Sequence, residues 1–126
     1  MNRLAPIAAT LLLAPAAANE PARAPGEAIL LTIVLRHDQS RPLPEINAEL
    51  ERNGWYGKFP PPGVEVVSWY VMMGLGQVVT VRVPPDRLRE VNLAVENGAW
   101  GAFRTDFYPT YDFRQVWEEQ RRRTAR

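Results

Sequence analysis

The sequence predicts an α+β fold, a β-α-β-β-α-β sandwich with an extra C-terminal helix. Three observations predict it. Two β-branched apolar runs of strand length stand out, Ile29 to Leu35 and Gln77 to Val83. A proline-led amphipathic segment follows each of them. Both of those segments close on a similar phrase, Glu51-Arg52-Asn53-Gly54-Trp55 and Glu96-Asn97-Gly98-Ala99-Trp100, as a doubled β-α-β unit would.

The elements follow in order. The first strand begins abruptly at Ala28 and stops at Arg36-His37-Asp38. It is apolar at nearly every position, the pattern of a central strand covered on both faces. Pro42-Leu43-Pro44-Glu45 opens a helix, because proline is tolerated only in the first turn and an acid suits the positive end. Leu43, Ile46 and Leu50 form its apolar stripe, and Asn53-Gly54 is a C-cap signal. Lys58 to Gly63 (KFPPPG) is expected to be an extended, polyproline-like connector. Val64 to Met73 is a long strand, and Gly74-Leu75-Gly76 turns it into the Val-rich third strand as a hairpin. Pro84-Pro85-Asp86 launches a second helix with Leu88, Val91 and Val95 on one stripe, ending at Asn97-Gly98. Ala102 to Tyr108 alternates as a last strand. Phe113, Val116 and Trp117 mark a short amphipathic helix that leads into a solvated basic tail, residues 121–126. This layout is a ferredoxin-like sandwich over residues 28–120, with strands one and three in the middle of the sheet.

Two helices cover only one face of such a sheet. Ile29, Leu31, Ile33 and Leu35 belong to that face, with Val79, Val81 and Val83. The other face would carry Leu30, Val34 and Val78 beside Thr32, Thr80 and Arg82. A solvated face does not collect three large aliphatic side chains without reason, so a partner sheet is expected to cover it. The expected assembly is a homodimer with sheets packed face to face.

At this point the chain resembles the dimeric α/β-barrel superfamily, which includes muconolactone isomerases and antibiotic-biosynthesis monooxygenases. The resemblance covers Ala28 to Tyr111. It rests on the apolar strand, helix, Val-rich hairpin, the Val83-Pro84-Pro85 junction and the aromatic closing strand. The second half, Val67 to Tyr108, is similar to the muconolactone isomerase arrangement. The resemblance implies the fold and the dimer. It matches no catalytic signature residue by residue and leaves the activity open.

The N-terminus says where the chain is expected to work. Met1-Asn2-Arg3 supplies a positive charge, Leu4 to Ala18 is uncharged and apolar, and Ala16-Ala17-Ala18 is a small-residue exit. These are the parts of a secretory signal, residues 1–18. The run is too short for a membrane span and Pro6 and Pro15 interrupt it, so no membrane association is expected after cleavage. Asn19 to Glu27 would be a flexible leader. The mature protein is expected to be periplasmic or secreted. It has no cysteine, so packing alone must hold it together.

Charge excludes one class of partner. With Arg3 removed, basic and acidic side chains balance, and the last six residues hold four of the basic ones. A neutral domain with a short basic end lacks the basic face that nucleic-acid binding requires. Gly74-Leu75-Gly76 precedes a strand rather than a helix and is no phosphate loop. Ser40 and Ser68 lie in no nucleophile elbow.

The remaining chemistry is concentrated in a few side chains. His37 is the only histidine, so any imidazole base must be this one. It sits at a strand end between Arg36 and Asp38, and a plain polar strand end is the competing explanation. One histidine with scattered carboxylates has no metal-ligand spacing, and neither metal nor cofactor is expected. Trp69 and Tyr108 are candidates among an aromatic set that otherwise reads as core. Trp100 lies in Gly98-Ala99-Trp100-Gly101-Ala102, where small neighbours leave room for a ligand against the indole. Arg82 and Arg104 are the expected carboxylate anchors, unless Glu65 and Asp106 occupy them. Arg36, Trp69, Arg82, Trp100, Arg104 and Tyr108 would together accept a small hydrophobic or aromatic anion. The expected function is therefore an exported small-molecule-binding or sensing module. A cofactor-independent isomerase or monooxygenase using His37 is the alternative, and a purely structural interaction protein is the third reading.

Overall fold

In the computed structural model, which describes residues 27–125, the chain runs β1 (Ile29–His37), α1 (Leu43–Asn53), α2 (Trp55–Lys58), β2 (Glu65–Met72), β3 (Gly76–Val83), α3 (Leu88–Ala99), β4 (Phe103–Thr110) and α4 (Arg114–Thr124). The expected export signal of residues 1–18 and nearly all of the expected 19–27 leader lie outside the described residues. The fold is α+β, with four α-helices among the described residues and a four-stranded antiparallel sheet in the order β2-β3-β1-β4. The two most apolar strands, β1 and β3, take the central places, where both faces lose the most water.

Local chemistry explains most of the boundaries. Pro42 caps α1 in an extended conformation and Glu45 sits in the first turn. Gly54 ends α1 in the left-handed region, its N–H reaching the carbonyls of Leu50 and Glu51. The second Asn-Gly pair behaves differently. α3 continues through Asn97-Gly98 to Ala99, because Gly98 is needed for close packing rather than for a turn. A Cβ at Gly98 would come within 2.6 Å of the Trp55 ring.

The proline-rich connector is also not the extended rod its composition predicts. Trp55 to Lys58 forms one helical turn, and beyond the Phe59-Pro60 bond, which is cis, the Val64 N–H returns to the Pro61 carbonyl. Burial of Phe59 and Val64 draws this segment under the core. The basic run is not a separate tail: Arg121, Arg122 and Arg123 form the last turn of α4, where cations suit the helix dipole.

The core lies between one sheet face and the helices α1 to α3. Leu31, Ile33 and Leu35 of β1 and Val79, Val81 and Val83 of β3 meet Ile46, Leu50, Val91 and Val95. Trp55 is 1% exposed, stacked on Phe59 at 4.8 Å and edge-on to Trp69 at 6.2 Å. Its indole N–H has no hydrogen-bond partner among the described residues.

Among the described residues no helix covers the opposite face. The register sets Thr32 beside Thr80 and Tyr108, and Val34 beside Val78 and Asp106. Thr32 joins its neighbours through hydroxyl contacts of 3.1 Å to Thr80 and 2.7 Å to Thr110. Leu30, Val78, Tyr70 and Met72 give this face its apolar area around the buried Val34, and Tyr70 is 68% exposed. β2 and β4 form the edges. β2 carries a bulge between Val66 and Ser68, and β4 contains Pro109.

α4 stands apart, with every residue from Tyr111 to Ala125 exposed, Phe113, Val116 and Trp117 included. Asp112 holds its start: its carboxylate accepts the backbone N–H of Arg114 at 2.9 Å and the Arg114 Nε–H at 3.1 Å. The side-chain bond from Arg114, followed by the backbone bond, lowers the Asp112 carboxyl from 3.8 to about 2. A carboxyl lowered by folding stabilises the folded form above its ordinary value, and the contribution disappears as pH falls through the lowered one. The start of α4 is therefore expected to loosen between about pH 4 and 2. An NMR titration of the Asp112 carboxyl carbon checks this, and a midpoint at the ordinary value would show the contact to be absent in solution.

Candidate functional site

A hollow of about 590 Å³ opens at the β4 edge of the sheet, lined by Arg36, Trp100, Gly101, Phe103, Arg104, Thr105, Asp106 and Tyr108. Strand alternation puts Arg104, Asp106 and Tyr108 on the face without helices, and antiparallel register sets Arg36 directly across from Arg104. Like charges facing each other across a ladder repel. Arg36 is relieved by Asp106, which accepts its Nε–H at 2.8 Å. That bond is the main reason the Arg36 guanidinium is held above its ordinary pKa, with the Tyr108 hydroxyl contributing less. Arg104 makes no hydrogen bond or ion pair with any described side chain. Its charge is felt weakly at Asp38, whose carboxyl is lowered first by the hydrogen bonds of Ser40.

Trp100 follows the last residue of α3 and is 54% exposed. Its indole N–H donates to the Thr105 hydroxyl at 3.1 Å, which fixes the ring and leaves a face bare. The turn that carries it is strapped to α1: Arg41 donates to the Gly101 carbonyl and to Glu49, the latter at 2.8 Å.

Four of the sequence-predicted residues, Arg36, Trp100, Arg104 and Tyr108, thus line one hollow. Three others do not. Trp69 turns to the core side, against Trp55 and Phe59, with its N–H on Gln77 Oε1 at 2.7 Å. Arg82 lies at the far end of the sheet, paired with Glu65 at 3.2 Å. His37 ends β1 with its ring stacked on Phe103 at 5.7 Å, and no described side chain hydrogen-bonds to the imidazole. Asp106 was an expected partner of Arg104 and instead serves Arg36. Thr105 escaped the sequence reading, because a Trp and a Thr five residues apart meet only when a turn separates them.

Among the described residues no three His, Cys, Asp or Glu side chains gather into a metal site, and no helix is long and apolar enough to cross a membrane. No family model matches the chain, and no curated protein or solved structure matches it either.

Proposed function

We propose that this chain is an exported small-molecule-binding or sensing module, ferredoxin-like in topology and of the dimeric α/β-barrel type, working as a homodimer. The hollow at the β4 edge carries the reading. Two guanidinium groups, a fixed indole and a phenol converge there, and such a mixture of apolar walls and a few polar groups suits a small ligand. The strand order β2-β3-β1-β4 supports the topology, and the uncovered apolar face supports pairing of two sheets.

Native mass spectrometry of protein from its own host tests the reading. The expected result is a dimer of chains that begin near Asn19, carrying a small molecule that is lost in Trp100→Ala. A clean mass with no ligand, together with no response to any small aromatic molecule, would overturn it. The dimer has its own check: Leu30→Glu or Val34→Glu places an unpaired charge in the joint and should split it, at a cost of several kcal/mol. A soluble dimer carrying either change would refute face-to-face packing.

One observation favours a second reading, an interaction protein. The stripe Phe113, Val116 and Trp117 on α4 is half exposed, and the ring contacts it makes among the described residues are local ones, Phe113 with Tyr111 at 6.5 Å and Trp117 under Arg121 at 5.1 Å. Loss of a protein partner from the host, rather than of a ligand, on Trp117→Asp would favour it. The isomerase or monooxygenase alternative is the least supported, since no described side chain hydrogen-bonds to the His37 ring to orient it.

A further inference from the structure

We infer that the β4-edge hollow selects a ligand with one negative charge on a flat apolar body, an aromatic monocarboxylate, with the carboxylate on Arg104 and the ring on Trp100. The inference rests on the ligand-binding reading above and adds the ligand's chemical class.

Charge balance within the hollow carries it. Arg36, Arg104 and Asp106 are the charged groups that line it. Asp106 satisfies Arg36 at 2.8 Å, so one positive charge, that of Arg104, is left over. No neighbouring carboxylate pairs with it: Arg41 is held by Glu49 at 2.8 Å, and Asp38, which accepts from Ser40 at 2.6 Å and feels Arg104 only weakly, makes no ion pair with Arg104.

A single carboxylate therefore balances the site, and the planar guanidinium fork is shaped to bind one with two parallel hydrogen bonds. It also removes the repulsion between Arg104 and Arg36 across the ladder. A dianion would overshoot. Its second charge would face Asp106, and it could take Arg36 only by displacing that carboxylate.

Trp100 decides the rest of the molecule. Its ring is held by Thr105 and half bare, so an aromatic ligand can stack on it without first ordering it. The half-exposed Tyr108 stands on the same sheet face as Arg104.

The test is isothermal titration of the full chain with phenylacetate, phenylacetamide and phthalate. Phenylacetate is expected to bind, and phenylacetamide to bind at least about tenfold more weakly, the usual worth of a hydrogen bond to a charged group. Phthalate should bind no more tightly than phenylacetate. Arg104→Gln should erase the difference between phenylacetate and phenylacetamide. Asp106→Asn, by raising the local charge, should move the preference towards phthalate, a shift that mere damage to the fold would not produce. Equal binding of acid and amide would overturn the charge assignment and leave the ligand-binding reading standing. Preference for phthalate in the unaltered chain would overturn the single-charge rule alone. Failure of all three probes to bind would overturn the inference and remove the support of the ligand-binding reading with it.

Discussion

Replacing Trp55 by alanine is expected to cost about 3–5 kcal/mol of folding stability, the range for deleting a large buried ring. The ring occupies the junction of α2, α3 and β2, with Phe59 stacked on it, Trp69 against its edge and Gly98 pressed to its surface. None of these neighbours can collapse into the gap without moving a backbone. Urea unfolding followed by far-UV circular dichroism measures the effect, as a lower midpoint with an unchanged slope. Trp55→Phe separates two contributions. It gives up part of the contact area but also removes an indole N–H that is buried without a partner, a defect costing about 1–3 kcal/mol. The phenylalanine variant should therefore lose less than half as much as the alanine one. Equal losses would mean that the indole N–H is satisfied in solution.

Gly76→Ala is expected to be nearly as damaging. Gly76 opens β3 at φ 141, a conformation closed to other residues, and it pairs with Arg36. A Cβ there would overlap the Leu35 carbonyl oxygen and come within 3.0 Å of Arg36 Cα and His37 N. All three are backbone atoms of the central strand, so no change of rotamer relieves the clash. Strain and lost pairing together should cost roughly 2–4 kcal/mol. Gly74→Ala is the control. Gly74 also has a positive φ, 84, but a Cβ there meets nothing within 4 Å. It should lose only about 1 kcal/mol, the usual price of the backbone conformation. If the two variants melt together, close approach at Gly76 is not what the glycine is for.

The two Asn-Gly pairs show how far local signals reach. Asn53-Gly54 ends a helix, as its chemistry suggests, while Asn97-Gly98 is swallowed by one. The dipeptide is identical. The outcome differs because Gly98 answers to Trp55, a contact invisible in any short window. The strands were easier to read, since long β-branched runs have few other solutions, and the alternation of β4 already put Arg104, Asp106 and Tyr108 on one face.

What alternation cannot supply is register, and register brings Arg36 to Arg104. Trp69 illustrates the same gap from the other side. Counting in twos from Glu65, which faces Arg82, would put Trp69 on the uncovered face. The bulge between Val66 and Ser68 reverses the count and delivers Trp69 to the core, opposite the fully buried Val79. No residue type in that strand announces the bulge.

The row of threonines across the uncovered face bears on how readily that face gives up its water. A hydroxyl dried without a partner costs about 1–3 kcal/mol, enough to forbid burial of several at once. Here Thr32 already holds Thr80 and Thr110, and the Thr110 hydroxyl donates to the Tyr108 carbonyl at 2.8 Å. The hydroxyls have exchanged water for one another before anything approaches. To an arriving surface the middle of the sheet is therefore as easily dehydrated as the valines beside it, while a fixed line of dipoles runs across the strands. In the proposed dimer Leu30 and Val78 would supply the adhesion, and the threonine row would supply a direction against which the partner sheet aligns.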